Sequence, residues 1–181
     1  MELIQSIDNN ILIFIQENLK NPVFDQVMVF ITKLGNAGFL WILIAFLLLS
    51  QKKYQKCGVP LICAISLAMF FGDDILKPLI GRIRPCNSFP EVPLLISRPN
   101  TFSFPSGHTM VGFTSATVIF KYHRKLGGFT FMIASFIAYS RLHLFVHYPS
   151  DILGGIVLGM LNAAFVIIGV EAIYNYIDDF H

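Results

Sequence analysis

Five stretches contain no Asp, Glu, Lys or Arg at all: residues 34–51, 57–72, 99–120, 126–140 and 152–170. Several fall a little under the ~20 residues that cross a bilayer as a helix, and a flanking turn at each end supplies the missing length. Hydrophobic residues make up 55% of the 181 and charged ones only 13%, with a mean hydropathy of +0.65. That balance lies outside what a soluble domain of this size shows. The expectation is an all-α, polytopic membrane helix bundle, with residues 1–181 forming a single domain.

The first third is patterned differently. Asp8, Glu17, Lys20, Pro22 and Asp25 interrupt its apolar residues, yet Ile4, Ile7, Ile11, Ile15 and Leu19 recur at helical spacing. This predicts an amphipathic helix over 1–21 lying in the membrane interface. A second helix over 22–34 is expected to enter the bilayer as a sixth span, with Pro22 tolerated in its first turn because the N–H it lacks is unpaired there anyway. Residues 22–176 would then form the bundle. No basic segment followed by a small-residue cleavage site opens the chain, so the first helix is expected to stay attached.

The loop between the second and third expected spans carries Lys52, Lys53 and Lys56, and the one between the fourth and fifth carries Lys121, Arg124 and Lys125. By the positive-inside rule both loops are cytoplasmic. The outer ends of the last four spans then collect three polar patches: Lys77 to Pro85, Pro105 to His108, and Ser140 to Asp151. Co-location of the patches on one membrane face follows from the helix count alone.

These patches suit phosphoryl chemistry. Transfer of a phosphoryl group needs fixed donors for charge spread over three oxygens. Lys77, Arg84 and Arg141 can provide it, arginine as a planar fork and lysine as a point charge. Ser106 and Gly107 precede an apolar helix whose first N–H groups have no intrahelical partner, which makes an anion site. His108 would project beside it, placed to deliver a proton. His147 and Asp151 are four residues apart, and a carboxylate on one imidazole nitrogen leaves the other as a nucleophile or base.

Taken in order, Lys77-x6-Arg84-Pro85, Pro105-Ser106-Gly107-His108 and Ser140-Arg141-x5-His147-x3-Asp151 resemble the three signatures of the type 2 phosphatidic acid phosphatase (PAP2) family. The resemblance implies a metal-independent membrane phosphatase with no cofactor that passes through a phosphohistidine. His147 would attack phosphorus, oriented by Asp151. His108 would protonate the leaving group and later activate water, while Lys77, Arg84, Ser106, Gly107 and Arg141 hold the phosphoryl oxygens. It further implies a lipid phosphate as substrate: undecaprenyl diphosphate, phosphatidylglycerophosphate or phosphatidic acid. The carrier-lipid members often have Asp where this chain has Gly107, which keeps the glycerophospholipids open as substrates.

Other residues carry plainer readings. Asp73 and Asp74 can pair with Lys77 along a helix rather than bind metal, and His143 is assigned a structural role. Arg82 and Arg98 are left between substrate and headgroup contact. Gly155-x3-Gly159 reads as a close helix-packing face. Cys57, Cys63 and Cys86 are an odd number without metal-ligand spacing and are expected as unpaired thiols. A net charge of +2 is too small to suggest nucleic acid, and oligomeric state is left open. The rival class is a membrane anion channel or transporter, which predicts cations distributed through the bilayer depth rather than gathered at span ends. A vanadate-dependent haloperoxidase is disfavoured for so small a membrane chain.

Overall fold

The computed structural model describes residues 2–179, all of whose regular structure is helical. The N-terminal pair is α1 (Glu2–Asn18) and α2 (Pro22–Leu34), followed by α3 (Phe39–Leu49) and α4 (Gln55–Met69). A π-helical stretch, Phe70–Leu76, joins α4 to the short α5 (Lys77–Ile80), and α6 (Pro85–Ser88) is a single turn beyond it. The remaining helices are α7 (Gly107–Tyr122), α8 (Arg124–His143) and α9 (Pro149–Asp178).

The charge-free runs become helices with identifiable ends. Asn21 caps α2 by accepting a hydrogen bond from the Phe24 N–H at 2.9 Å, with Pro22 in the first turn. Gly81, at φ 64°, ends α5 in the left-handed region that a side chain disfavours. At the start of α9, the Asp151 carboxylate accepts from the Tyr148 N–H at 2.8 Å, a side-chain cap on a donor that would otherwise be unpaired.

Helix α7 lies at the centre, packed on α8, α9 and α4. Its residues from Thr109 to Ala116 are all buried. Small residues permit this density. A Cβ at Gly155 would lie 2.9 Å from the Ser106 carbonyl oxygen, and one at Gly159 would lie 2.5 Å from that of Met110. The Gly155-x3-Gly159 stripe is thus where α9 meets the α7 backbone, as the sequence spacing predicts. Thr114 reinforces the contact by donating to the Gly159 carbonyl at 3.0 Å.

One expectation changes in detail, that of the spans placed at 22–34 and 34–51. Helices α2 and α3 have 13 and 11 residues, roughly 20 and 17 Å long, each short of the ~30 Å hydrocarbon thickness. They are bent by 48° at the break between them, so they cross as one broken span or form a re-entrant pair rather than two crossings. The break has a local cause: Ala37 and Gly38 have φ of 49° and 66°, which an α-helix cannot accommodate. In α1, Ile4, Ile7 and Ile11 are 40–57% exposed and form an apolar face turned outward, while Asp8, Leu12 and Ile15 face the protein.

Candidate functional site

The three patches meet where α5 ends, α7 begins, α8 ends and α9 begins. The opposite end of the bundle holds Lys121, which pairs with Glu171 at 3.2 Å. Between the patches lies a cavity of about 330 Å³ lined by Lys77, Arg84, Gly107, His108, Arg141 and His147, together with Asp73, Thr101 and the Gly35–Gly38 connector. Of the eight residues picked from the sequence, Ser106 and Asp151 alone do not line it; both are fully buried behind its wall.

His147 sits in the short loop between α8 and α9 and is 1% exposed. Its Nε2 lies 3.0 Å from NH1 of Arg84. A guanidinium can only donate, so Nε2 must accept, which puts the proton of the neutral ring on Nδ1. Nδ1 in turn faces Asp151 Oδ2 at 3.4 Å, a charge contact longer than an ordinary hydrogen bond. Burial pushes the imidazole pKa from 6.5 down to about 3, with Asp151 opposing that shift and Arg84 and Arg141 adding to it. A neutral imidazole whose Nε2 lone pair is held by Arg84 at a cationic cavity has the protonation state that a nucleophile or base requires.

Arg84 is 3% exposed, held by the Thr101 carbonyl (2.6 Å), the Thr101 hydroxyl (2.9 Å) and the Val146 carbonyl (2.9 Å). None of these partners is a carboxylate, so its charge is oriented but not cancelled. Burial lowers its pKa from the ordinary arginine value. Arg141 makes one side-chain hydrogen bond, from NH1 to Thr32 Oγ1 at 2.6 Å, and its Nε has no partner. Lys77 pairs with Asp73 at 2.5 Å across one helical turn, the pairing expected from their spacing. The π-helical stretch that carries Asp73 is a rare conformation, frequent at functional sites.

His108 stands in the first turn of α7, with Nε2 3.0 Å from the Asn36 side-chain oxygen. A Cβ on Gly35 would lie 2.7 Å from the His108 ring, so the connector between α2 and α3 rests directly on this imidazole. The first intrahelical bond of α7 is from the Met110 N–H to the Ser106 carbonyl, which leaves the N–H groups of residues 107–109 as the unpaired helix start. Ser106 itself donates its N–H to the Asp151 carbonyl at 3.2 Å and accepts from the Thr109 hydroxyl at 2.9 Å. It joins α7 to α9 rather than reaching into the cavity.

Behind His147 is a second polar layer. Asp151 Oδ2 also accepts from the Ser103 hydroxyl at 2.5 Å, and Oδ1 accepts from Arg82 NH1 at 2.6 Å. The other arm of Arg82 reaches Asp8 of α1 at 2.6 Å. Asp8 is 2% exposed and accepts from both the N–H and the hydroxyl of Ser150, at 2.9 and 2.5 Å. Arg82 is therefore enclosed by protein groups, and it stacks 4.2 Å from the Tyr148 ring centroid.

Asp8, Ser103 and Asn36 were not legible as site residues. Asp8 alone carried a signal, since it lies four and seven residues before Leu12 and Ile15, on the face that turns out to be buried. Arg98 holds the loop by donating to Cys86 O and Asn87. His143 lies apart from the cavity, bonded to Asp25 at 2.6 Å. The three thiols are unpaired.

A membrane helix bundle whose helix ends gather three cations around a neutral, carboxylate-backed imidazole defines a phosphotransfer class of site. Residues 57–174 match the PAP2 superfamily, and the chain belongs to that family. It is 32% identical to an undecaprenyl-diphosphatase of Sulfolobus acidocaldarius over 134 residues, covering 74% of this chain and 64% of that protein. It is 33% identical to phosphatidylglycerophosphatase B of Bacillus subtilis, covering 79% and 73%. The crystal structure of a transmembrane PAP2-type phosphatidylglycerolphosphate phosphatase from Bacillus subtilis superposes with a TM-score of 0.74 at 29% identity, over 96% of this chain and 89% of that one.

Proposed function

We propose that the chain, acting as one phosphatase domain over residues 1–181, hydrolyses a phosphate monoester or diphosphate of a membrane lipid through a phosphohistidine on His147. The observation that carries this reading is the neutral His147 ring, whose Nε2 points at Arg84 in a cavity also lined by Lys77 and Arg141. An incoming phosphate takes Arg84 NH1 from Nε2 and exposes the lone pair. Nε2 attacks phosphorus, the bond to the leaving oxygen breaks, and that oxygen takes a proton from His108. The negative charge of the bound phosphate favours the imidazolium form of His108 needed for this step.

The second half reverses the roles. Neutral His108 takes a proton from water, the water oxygen attacks phosphorus, and the P–N bond breaks to restore His147. Asp151 faces the Nδ1–H across 3.4 Å and stabilises the positive charge the ring carries while phosphorylated. Lys77, Arg84, Arg141 and the N–H groups at the start of α7 hold the three equatorial oxygens, with Gly107 allowing close approach and Ser106 fixing that helix end. No step calls on a metal.

The basic loops at the far end of the bundle support an outer-face site in a cell membrane, where a headgroup can enter while its chains stay in the bilayer. Relatives that act on undecaprenyl diphosphate and phosphatidylglycerophosphate support a lipid carrying a terminal phosphate. The test is phosphate release in detergent with EDTA from a panel of lipid phosphates, by the parent and by His147→Ala. The variant is expected to lose at least ~10³-fold in kcat. Undiminished release by the variant sinks the mechanism, and loss of activity in EDTA sinks its metal independence.

A further inference from the structure

The cavity is cationic, yet one anion stands inside it. Lys77, Arg84 and Arg141 line it as cations, and Asp73 is the one carboxylate to do so among the described residues. Its Oδ1 lies 2.5 Å from Lys77 Nζ. A Cβ at Gly107 would lie 3.1 Å from that same oxygen and 3.6 Å from that same ammonium. The carboxylate therefore stands against both Lys77 and the start of α7, two of the groups that the phosphatase reading gives to the transferred phosphate.

The backbone keeps it there. The stretch carrying Asp73 is π-helical, and the Lys77 N–H donates to the Gly72 carbonyl five residues back, so carboxylate and ammonium share one turn. Lys77 is 7% exposed, and a buried ammonium without an anion is costly. Asp73 supplies that anion while the cavity is empty, and its own side chain is 44% exposed, which leaves it room to withdraw. A phosphate in the cavity competes with it, because like charges that share a site disfavour one another. With both histidines neutral, three cations and one carboxylate leave the lining two net positive charges, against the about two negative charges of a phosphate group near neutral pH. Inorganic phosphate has no lipid chain and is held by polar contacts alone, so a surplus cation would act wholly to retain it.

We propose that Asp73 is a resident counter-ion of the phosphate site: it holds Lys77 between turnovers, yields it to the incoming phosphate and takes it back as inorganic phosphate leaves. It is a positioning residue that acts through Lys77, and it weakens phosphate binding in order to speed release. Its place in the reaction cycle rests on the phosphatase reading above, whereas the competition for Lys77 is open to a binding measurement that needs no turnover.

The experiment uses the full chain in detergent as parent, Asp73→Asn, Asp73→Glu and Asp74→Asn. Each is titrated with inorganic phosphate by calorimetry, and kcat and KM are measured on the lipid phosphate that the parent cleaves best. Asp73→Asn keeps the side chain's shape and removes its charge, and phosphate then binds about tenfold more tightly, the scale of one charged contact. KM falls in parallel, and kcat falls with it because the product leaves more slowly. Asp73→Glu restores the charge and keeps phosphate affinity within about threefold of the parent. Asp74→Asn removes an equal charge that does not line the cavity and leaves affinity at the parent value. Unchanged or weaker binding in Asp73→Asn overturns the proposal, since a residue that only braced Lys77 would loosen phosphate when lost. Tighter binding with kcat unchanged overturns the role in release, and an equal gain in Asp74→Asn reduces the effect to net charge. A parent that binds phosphate but cleaves no lipid phosphate refutes the phosphatase reading instead, and the binding comparison still decides the competition.

Discussion

Arg82 and Arg84 are two residues apart and serve opposite regions. Arg84 faces the cavity and is held by carbonyls, a hydroxyl and an imidazole. Arg82 faces away from it and is held by two carboxylates, Asp8 and Asp151. At Arg84 and Arg141 the cavity wall orients charge without neutralising it, so a phosphate still gains by binding there, whereas Lys77 is already paired with Asp73. The layer behind cancels its charge internally, so it can fix a side chain but has little left for a ligand. The difference lies in the partners, since the two residue types are identical.

This contrast breaks if the two arginines behave alike on substitution. Arg84→Ala is expected to lower kcat/KM by roughly 10²–10³-fold and to weaken inhibition by inorganic phosphate, because it removes donors aimed at the transferring group. Arg84→Lys should restore little, since a lysine cannot reproduce the fork. Arg82→Ala is expected to cost kcat a smaller factor, about 10–100-fold, typical of a group that orients a catalytic partner. Inhibition by inorganic phosphate should then stay within about twofold of the parent, because the phosphate-binding cations remain in place. If Arg82→Ala weakens phosphate inhibition as much as Arg84→Ala, the separation into wall and backing layer is wrong.

A smaller effect tests the buried imidazole of the wall through pH. Native His147 has its pKa pushed down to about 3, whereas an unfolded histidine titrates near ~6.5. Between those values the unfolded chain binds a proton that the native one refuses, so this group costs stability as pH falls through that window and is silent above it. The melting temperature of the parent in detergent should fall between pH 7 and pH 4, and that of His147→Gln should fall less. Equal slopes would mean that the buried ring does not carry the proton difference.

The same contrast explains what the sequence could reveal. Wall residues sit in compact patches at helix ends, where a cation or imidazole beside charge-free hydrocarbon stands out. Lys77, Arg84, His108, Arg141 and His147 were legible for that reason. The backing residues are ordinary where they occur. Asp8 is one charge among several in an amphipathic helix, and its bond to Ser150 spans 142 positions. Arg82 could be counted as a cation, but whether it faced lipid or carboxylate depended on where α1 docked. The bundle was legible from its charge-free runs. The division near the head of the first run was not, because the backbone turn at Ala37 and Gly38 lies within a segment that carries no charge to mark it. Asn36 reaches His108 only through that turn.

The glycine contacts between α7 and α9 extend the site's reach beyond its polar residues. Asp151 stands at the head of α9 and Gly159 lies eight residues further along, about 12 Å down the axis. Both Gly155 and Gly159 sit against the backbone of the helix that carries His108. The spacing between His108 and Asp151 is therefore gauged against buried backbone. A methyl group added at Gly159 would meet the Met110 carbonyl oxygen and act as a wedge under a lever, shifting His108 and Asp151 relative to one another from eight residues away.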